Sequence, residues 1–245
     1  MEVHAHTHTP RKKWTHYLWE FLMLFLAVFC GFLAENFREH QVEHKREKQY
    51  MVSLVEDLET DTIELKKAMI SADSTNKYID SVLIFLNTNK ITDRLPHKFA
   101  FMMRVAGQRL SLINTDRTSS QLKNSGAMRL IRNKQVADGI LKYWKQIEKT
   151  NLTLERYLIY RNQGRDLSFK LFMWSEVYRR AFQIKEDSIQ YLRIIDPDPK
   201  KWDEMINIIG GSGLIIASGH IKNLNLQYQL ATELIGMIKK EYHLK

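Results

Sequence analysis

His40, Glu43 and His44, in the run His40-Gln41-Val42-Glu43-His44, form the sharpest pattern of chemically capable residues in the chain. On a helix His40 and His44 would share one face with Glu43 beside them. That is the H-x-x-E-H arrangement, in which two imidazoles hold zinc and a carboxylate acts as base. A hydrolase of this kind also needs a third ligand and a helix walled by a core. Nothing in the sequence picks out that ligand, and the motif sits in a highly charged stretch, so a solvated helix is the stronger expectation.

Other candidates are weaker. His4, His6 and His8 alternate at the N-terminus, and neutral imidazoles suit Zn, Cu or Ni. No carboxylate or thiol accompanies them, so a tail binding metal adventitiously is expected. The run Gly210-Gly211-Ser212-Gly213 could cradle an anion, but it lacks the Lys-Ser/Thr ending of a P-loop and is expected to be a turn. Cys30 is the sole cysteine and lies in an apolar run, which excludes an intramolecular disulfide. No nucleophile motif, resident cofactor or metal is expected.

Between positions 98 and 180 there are 17 Lys/Arg against 6 Asp/Glu. That segment could face anionic lipid, an acidic polymer or an acidic partner, though a solvated basic surface is the simpler reading. No nucleic-acid-binding signature accompanies the basic residues, so nucleic acid is not an expected partner.

The elements that would carry these residues begin with a greasy one. Positions 21–34 contain no charge, and extending to 17–37 gives the roughly 20 residues that a bilayer span needs. Trp14, Tyr17 and Trp19 supply interfacial aromatics on its N-terminal side. The segment after it offers no small-x-small cleavage site, so an uncleaved signal-anchor is expected rather than a removed leader. Arg11, Lys12 and Lys13 form a compact basic cluster, which favours a cytoplasmic N-terminus and a C-terminal domain on the far side.

At 100° per residue, Glu20, Ala27, Gly31, Ala34 and Glu35 share one sector of that helix. Ala27-x-x-x-Gly31 would let two backbones approach closely, and carboxylates in a span prefer a protein face to lipid. Self-association of the span is expected. The two glutamates could instead line an ion or proton path.

Past the span the periodicity is helical throughout. Tyr50, Leu54, Leu58, Thr62, Leu65 and Met69 recur at steps of three and four. The expected organisation is a basic, His-rich start (1–16), the span (17–37), a stalk helix (38–72) and an antiparallel helical bundle (73–245). Within the bundle, helices are expected over 74–87, 98–112, 133–165, 166–192, 200–209 and 215–242. A short helix capped at Asp116 or Thr118 should end at Gly126, and a sharp break should fall at Asp196-Pro197-Asp198-Pro199. The fold class is therefore all-α.

Several stretches together resemble a family of uncharacterised single-pass inner-membrane proteins of Bacteroidota. They are the opening run from His6 through His40, the Thr115-Asp116-Arg117-Thr118 … Gln121-Leu122-Lys123-Asn124-Ser125-Gly126 segment with Leu130-Ile131-Arg132-Asn133, and the ending Leu234-Ile235 … Tyr242-His243-Leu244. The resemblance implies a bacterial inner-membrane location and brings no activity. It also makes Arg117, Lys123, Asn124 and Ser125 a candidate partner or anion site, although a helix-capping and helix-bending role explains the same residues more simply.

The functional expectation is a non-catalytic, self-associating scaffold anchored in the bilayer, whose helical domain binds another envelope protein. The alternatives are a subunit of an ion- or proton-coupled complex using Glu20 and Glu35, and a tethered zinc hydrolase using His40, Glu43 and His44.

Overall fold

The computed structural model describes residues 14–89, 91, 94–176 and 191–244. The alternating histidines, the Arg11-Lys12-Lys13 cluster and most of the helix expected over 166–192 lie outside them. Mostly helical architecture is observed, and the chain divides into two compact units, 1–49 and 50–245.

The first unit is occupied by the beginning of α1, which runs Trp14–Thr88 without interruption. It contains one glycine, Gly31, and no proline. Its apolar segment is exposed along its whole length, and a Cβ added at Gly31 would meet nothing within 4 Å. One 18-residue window of α1 has a mean hydropathy of 2.0 and is 0% buried. By length and composition, this one helix near the N-terminus could cross a membrane.

In the second unit α1 continues through Thr88, where a break near 73 was expected. Ala72, Ile79, Val82 and Leu86 keep burying one face, and Thr75 turns its hydroxyl back onto the Ser71 carbonyl (2.9 Å) instead of starting a new helix. After it come β1 (Arg94–Pro96), α2 (His97–Ala106), α3 (Arg117–Asn124), a 3-10 turn (Ala127–Leu130) and α4 (Lys134–Leu171). Then follow β2 (Tyr191–Arg193), α5 (Pro199–Ile215), a π-turn (Ile216–His220) and α6 (Ile221–Glu241).

Several local signals operate as expected. Asn133 caps α4, its side chain accepting from the Val136 N–H at 3.1 Å. Asp198 caps α5 through the Lys200 N–H at 3.0 Å, with Pro199 in the first turn. Gly126 follows the end of α3 with φ +66°, the left-handed conformation that glycine adopts without strain.

Other boundaries differ. The helix expected over 98–112 ends at Ala106, and residues 107–116 run as an irregular segment. No break falls at Asp166, because Gly164, Ser168 and Leu171 extend the buried face of α4 to its end. Residues 191–193 form a strand paired antiparallel with β1, Leu95 opposite Leu192. These three-residue strands are too short to show alternation in the sequence.

The expected turn at Gly210–Gly213 is the interior of α5. A Cβ at Gly211 would lie 2.9 Å from the Tyr160 ring, and one at Gly213 would lie 2.8 Å from Ile79. These two glycines serve close helix packing.

Two hydrophobic clusters hold the second unit together. One joins Met51 to Leu58 of α1, Leu122 of α3, Val136 to Trp144 of α4 and Leu230 to Ile238 of α6. The other joins Leu65 to Leu86 of α1 with α2, Tyr157 to Phe172, and Trp202 to Leu224. Each cluster takes the corresponding parts of α1 and α4 but opposite ends of the α5–α6 run. Helices α1 and α4 therefore run parallel, and α5–α6 returns antiparallel to both. The expected antiparallel bundle is thus of mixed direction: the elements from β1 to the 3-10 turn lie between the parallel helices α1 and α4.

Candidate functional site

Between the two clusters each long helix contributes polar side chains: Asp57 and Asp61 from α1, Tyr143, Gln146, Thr150 and Thr153 from α4, and His220, Asn223 and Gln227 from the α5–α6 run. Buried polar groups are stable only when they find partners, and most of these do.

Asp57 and Asp61 lie one turn apart. The backbone N–H of Thr118 donates to Asp57 Oδ2 at 2.9 Å, and that of Thr115 donates to Asp61 Oδ1 at 2.7 Å. The Tyr143 hydroxyl donates to Asp61 Oδ2 at 2.6 Å. Arg117 donates from Nε to Asp57 Oδ1 (3.1 Å) and from Nη2 to Glu56 (2.9 Å). One orphan N–H of the first turn of α3, that of Thr118, is thus satisfied from α1, and Asp116 makes no side-chain capping bond.

Burial pushes the Asp61 carboxyl up, against the pull of its Tyr143 and Thr115 bonds. The Tyr143 hydroxyl is also raised, by burial and by the neighbouring carboxylate. Two side-chain oxygens in this region, Thr118 Oγ1 and Gln227 Oε1, are buried with no partner.

Of the four residues expected as a partner or anion site, Arg117 is held by acids of α1. The Lys123 ammonium lies over the Trp144 ring at 4.3 Å. The Ser125 hydroxyl donates to the Gln121 carbonyl at 2.6 Å. Asn124 is the last residue of α3. These residues lie on or next to α3, where Arg117 bonds to α1, Lys123 packs over a ring of α4 and Ser125 bonds within its own helix.

Asp57 and Asp61 were not among the expected site residues. The available signal is spacing: Leu54, Leu58, Asp61 and Leu65 step by four, three and four, which puts an acid rather than Thr62 in the apolar stripe.

Further along the belt, Gln146 Nε2 donates to the Asn223 carbonyl and to its side-chain oxygen, both at 3.2 Å. Thr153 Oγ1 lies 3.2 Å from His220 Nδ1. Burial pushes the His220 imidazole down to about 4, so it is neutral at neutral pH.

The residues of the first unit are placed as follows. His40 and Glu43 approach to 3.9 Å, and His44 lies 3.3 Å from Glu47. His40 and His44 are 63% and 56% exposed. Among the described residues no three His, Cys, Asp or Glu side chains converge as a metal set. Glu20 is 3.0 Å from His16, and Glu35 takes two bonds from Arg38, at 2.5 and 3.0 Å. Ala27, Gly31 and Ala34 lie exposed along the same unbroken helix.

A partly open cleft lies among α2, α4 and α5. It has a volume of about 360 Å³, and its lining includes Met103, Arg104, Arg161, Arg165, Trp174 and Ile209. Arg161 is fixed by donating from Nε to the Gly107 carbonyl at 2.8 Å.

Comparison of the chain with protein families, with curated proteins and with solved structures gives no match.

Proposed function

We propose that the chain is a single-pass membrane scaffold whose span self-associates and whose helical unit binds another envelope protein, without catalysis. The observation that carries this reading is the apolar segment of α1, which is 0% buried and continuous with a helix that enters a separately cored bundle. Apolar surface on that scale is covered in a functioning protein, and lipid is the simplest cover. In the bundle, buried carboxylates are bonded by backbone N–H groups and a tyrosine hydroxyl, as in a rigid body that presents surfaces.

Glu20, Ala27, Gly31, Ala34 and Glu35 would form the contact face in the bilayer. Gly31 offers open space where a second helix can approach. The carboxylates pair with His16 and Arg38 along the helix, which supports a contact-face role over an ion path. The proposed setting is a bacterial inner membrane, with a cytoplasmic N-terminus and a periplasmic bundle. That orientation follows from Arg11, Lys12 and Lys13.

The test is native mass spectrometry in mild detergent. The unaltered chain should appear as an oligomer and Gly31→Leu as mainly monomer. A monomeric unaltered chain, or a Gly31→Leu oligomer of unchanged stability, would remove the self-association reading.

A further inference from the structure

The polar belt uses its hydrogen-bonding atoms largely on itself, and the described part of the first unit is a single helix. The α2–α4–α5 cleft differs from both. It has an apolar interior, a small-molecule volume and, among the described residues, more cationic groups than carboxylates to neutralise them.

We propose that this cleft binds a single-chain amphiphile of the fatty-acid class, with the carboxylate on Arg161 and the tail against Met103, Phe169, Trp174 and Ile209. The proposal goes beyond the scaffold reading and does not depend on it.

The volume of about 360 Å³ is within the range of sites that enclose small ligands. Met103 and Ile209 are buried, and Phe169 and Trp174 meet edge to face at 5.4 Å, forming an aromatic wall. The Trp174 indole N–H already donates to Ser168 Oγ at 2.9 Å, so the indole faces the cleft with its polar atom satisfied.

Charge selects the headgroup. A guanidinium carries five N–H donors. Arg161 commits Nε to the Gly107 carbonyl and one Nη1 hydrogen to Asn162 Oδ1 at 3.0 Å. Its other three N–H groups have no acceptor among the described residues. The guanidinium is therefore anchored at Nε, while both Nη2 hydrogens and one on Nη1 remain to bond a carboxylate.

Arg165 is engaged by Asp166 at 2.9 Å, and Arg104 packs over the Phe101 ring at 5.3 Å with no carboxylate partner among the described residues. Three guanidinium groups thus line the cleft with a single carboxylate paired among them. Burial, with Arg165 and Arg109 nearby, works against the charge on Arg161. A bound anion relieves that crowding; a neutral ligand of the same shape does not.

The test uses the full chain in nanodiscs of zwitterionic lipid, with decanoate carrying a photoactivatable diazirine on its tail as the probe. Crosslinked peptides are identified by mass spectrometry. Saturable labelling within 103–107 or 164–174 is expected, competed by unlabelled decanoate and not by decanol. Arg161→Gln should raise the half-saturating concentration roughly tenfold or more, the worth of one charge-assisted fork. Arg104→Gln with Arg165→Gln, both on exposed side chains, should weaken labelling while leaving thermal unfolding unchanged. Labelling confined to 17–37, equal competition by decanol, or saturation unaltered in both arginine variants would overturn the proposal.

Discussion

Asp61 occupies a core position of α1 and receives two donors there, the Tyr143 hydroxyl and the Thr115 N–H. A buried carboxyl that loses one partner bears the desolvation cost uncompensated. Tyr143→Phe keeps the ring and removes one donor, so it should lower unfolding stability by about 1–3 kcal/mol. Denaturant unfolding of the solubilised chain measures this; a change within experimental error would mean that the contact adds nothing net. Asp57 shares the arrangement, since α3 begins where its carboxylate meets the Thr118 N–H. The Thr115-Asp116-Arg117-Thr118 motif is thus explained by what it touches: Arg117 answers Asp57 and Glu56, and two backbone N–H groups answer α1. That side of the contact was legible in the sequence as a cluster of donors around 115–125. The acceptors, some sixty residues earlier, were hidden because an Asp in an amphipathic stripe reads as surface until its chain partner is known.

Among the elements, α5 departs most from its local signals. Its Gly-Gly-Ser-Gly run has the composition of a turn, yet it is helical, and two of its glycines approach Tyr160 and Ile79 more closely than a Cβ would allow. Gly213→Leu should therefore cost about 1–3 kcal/mol by overpacking against Ile79. Gly210→Ala, where a Cβ meets nothing within 4 Å, should be neutral or stabilise by up to about 1 kcal/mol through helix propensity. Thermal unfolding of the two variants should move in opposite directions or differ by that margin. Equal shifts would mean that the glycines matter only for helix propensity. The ends of α4 and α5 at Asn133 and Asp198 were legible beforehand, since capping is settled within four residues.

Across the whole molecule, the two units differ in kind. Residues 50–245 have two apolar clusters of their own, whereas the apolar side chains of 17–37 are uncovered. A chain beginning at Lys45 should therefore remain in the supernatant after ultracentrifugation, with a cooperative thermal transition. The full chain should stay with the membrane pellet through carbonate washing. Release of the full chain by carbonate would contradict anchoring, and aggregation of the shorter chain would contradict an independent core.

Composition and local periodicity alone determined the apolar helix near the N-terminus, the predominance of helix, the helix start at Asn133, the cap before Pro199 and the interruption at Gly126. Each of these depends on residues within about one or two turns, where side-chain spacing and backbone preference act directly. Tertiary structure alone decided the parallel course of α1 and α4, the acids that hold the start of α3, the helical state of residues 210–213, and the cleft that brings Met103, Arg161 and Trp174 together. These depend on which surfaces meet once the elements between α1 and α4 are in place, and contact between residues fifty or more positions apart leaves no periodic trace along the chain.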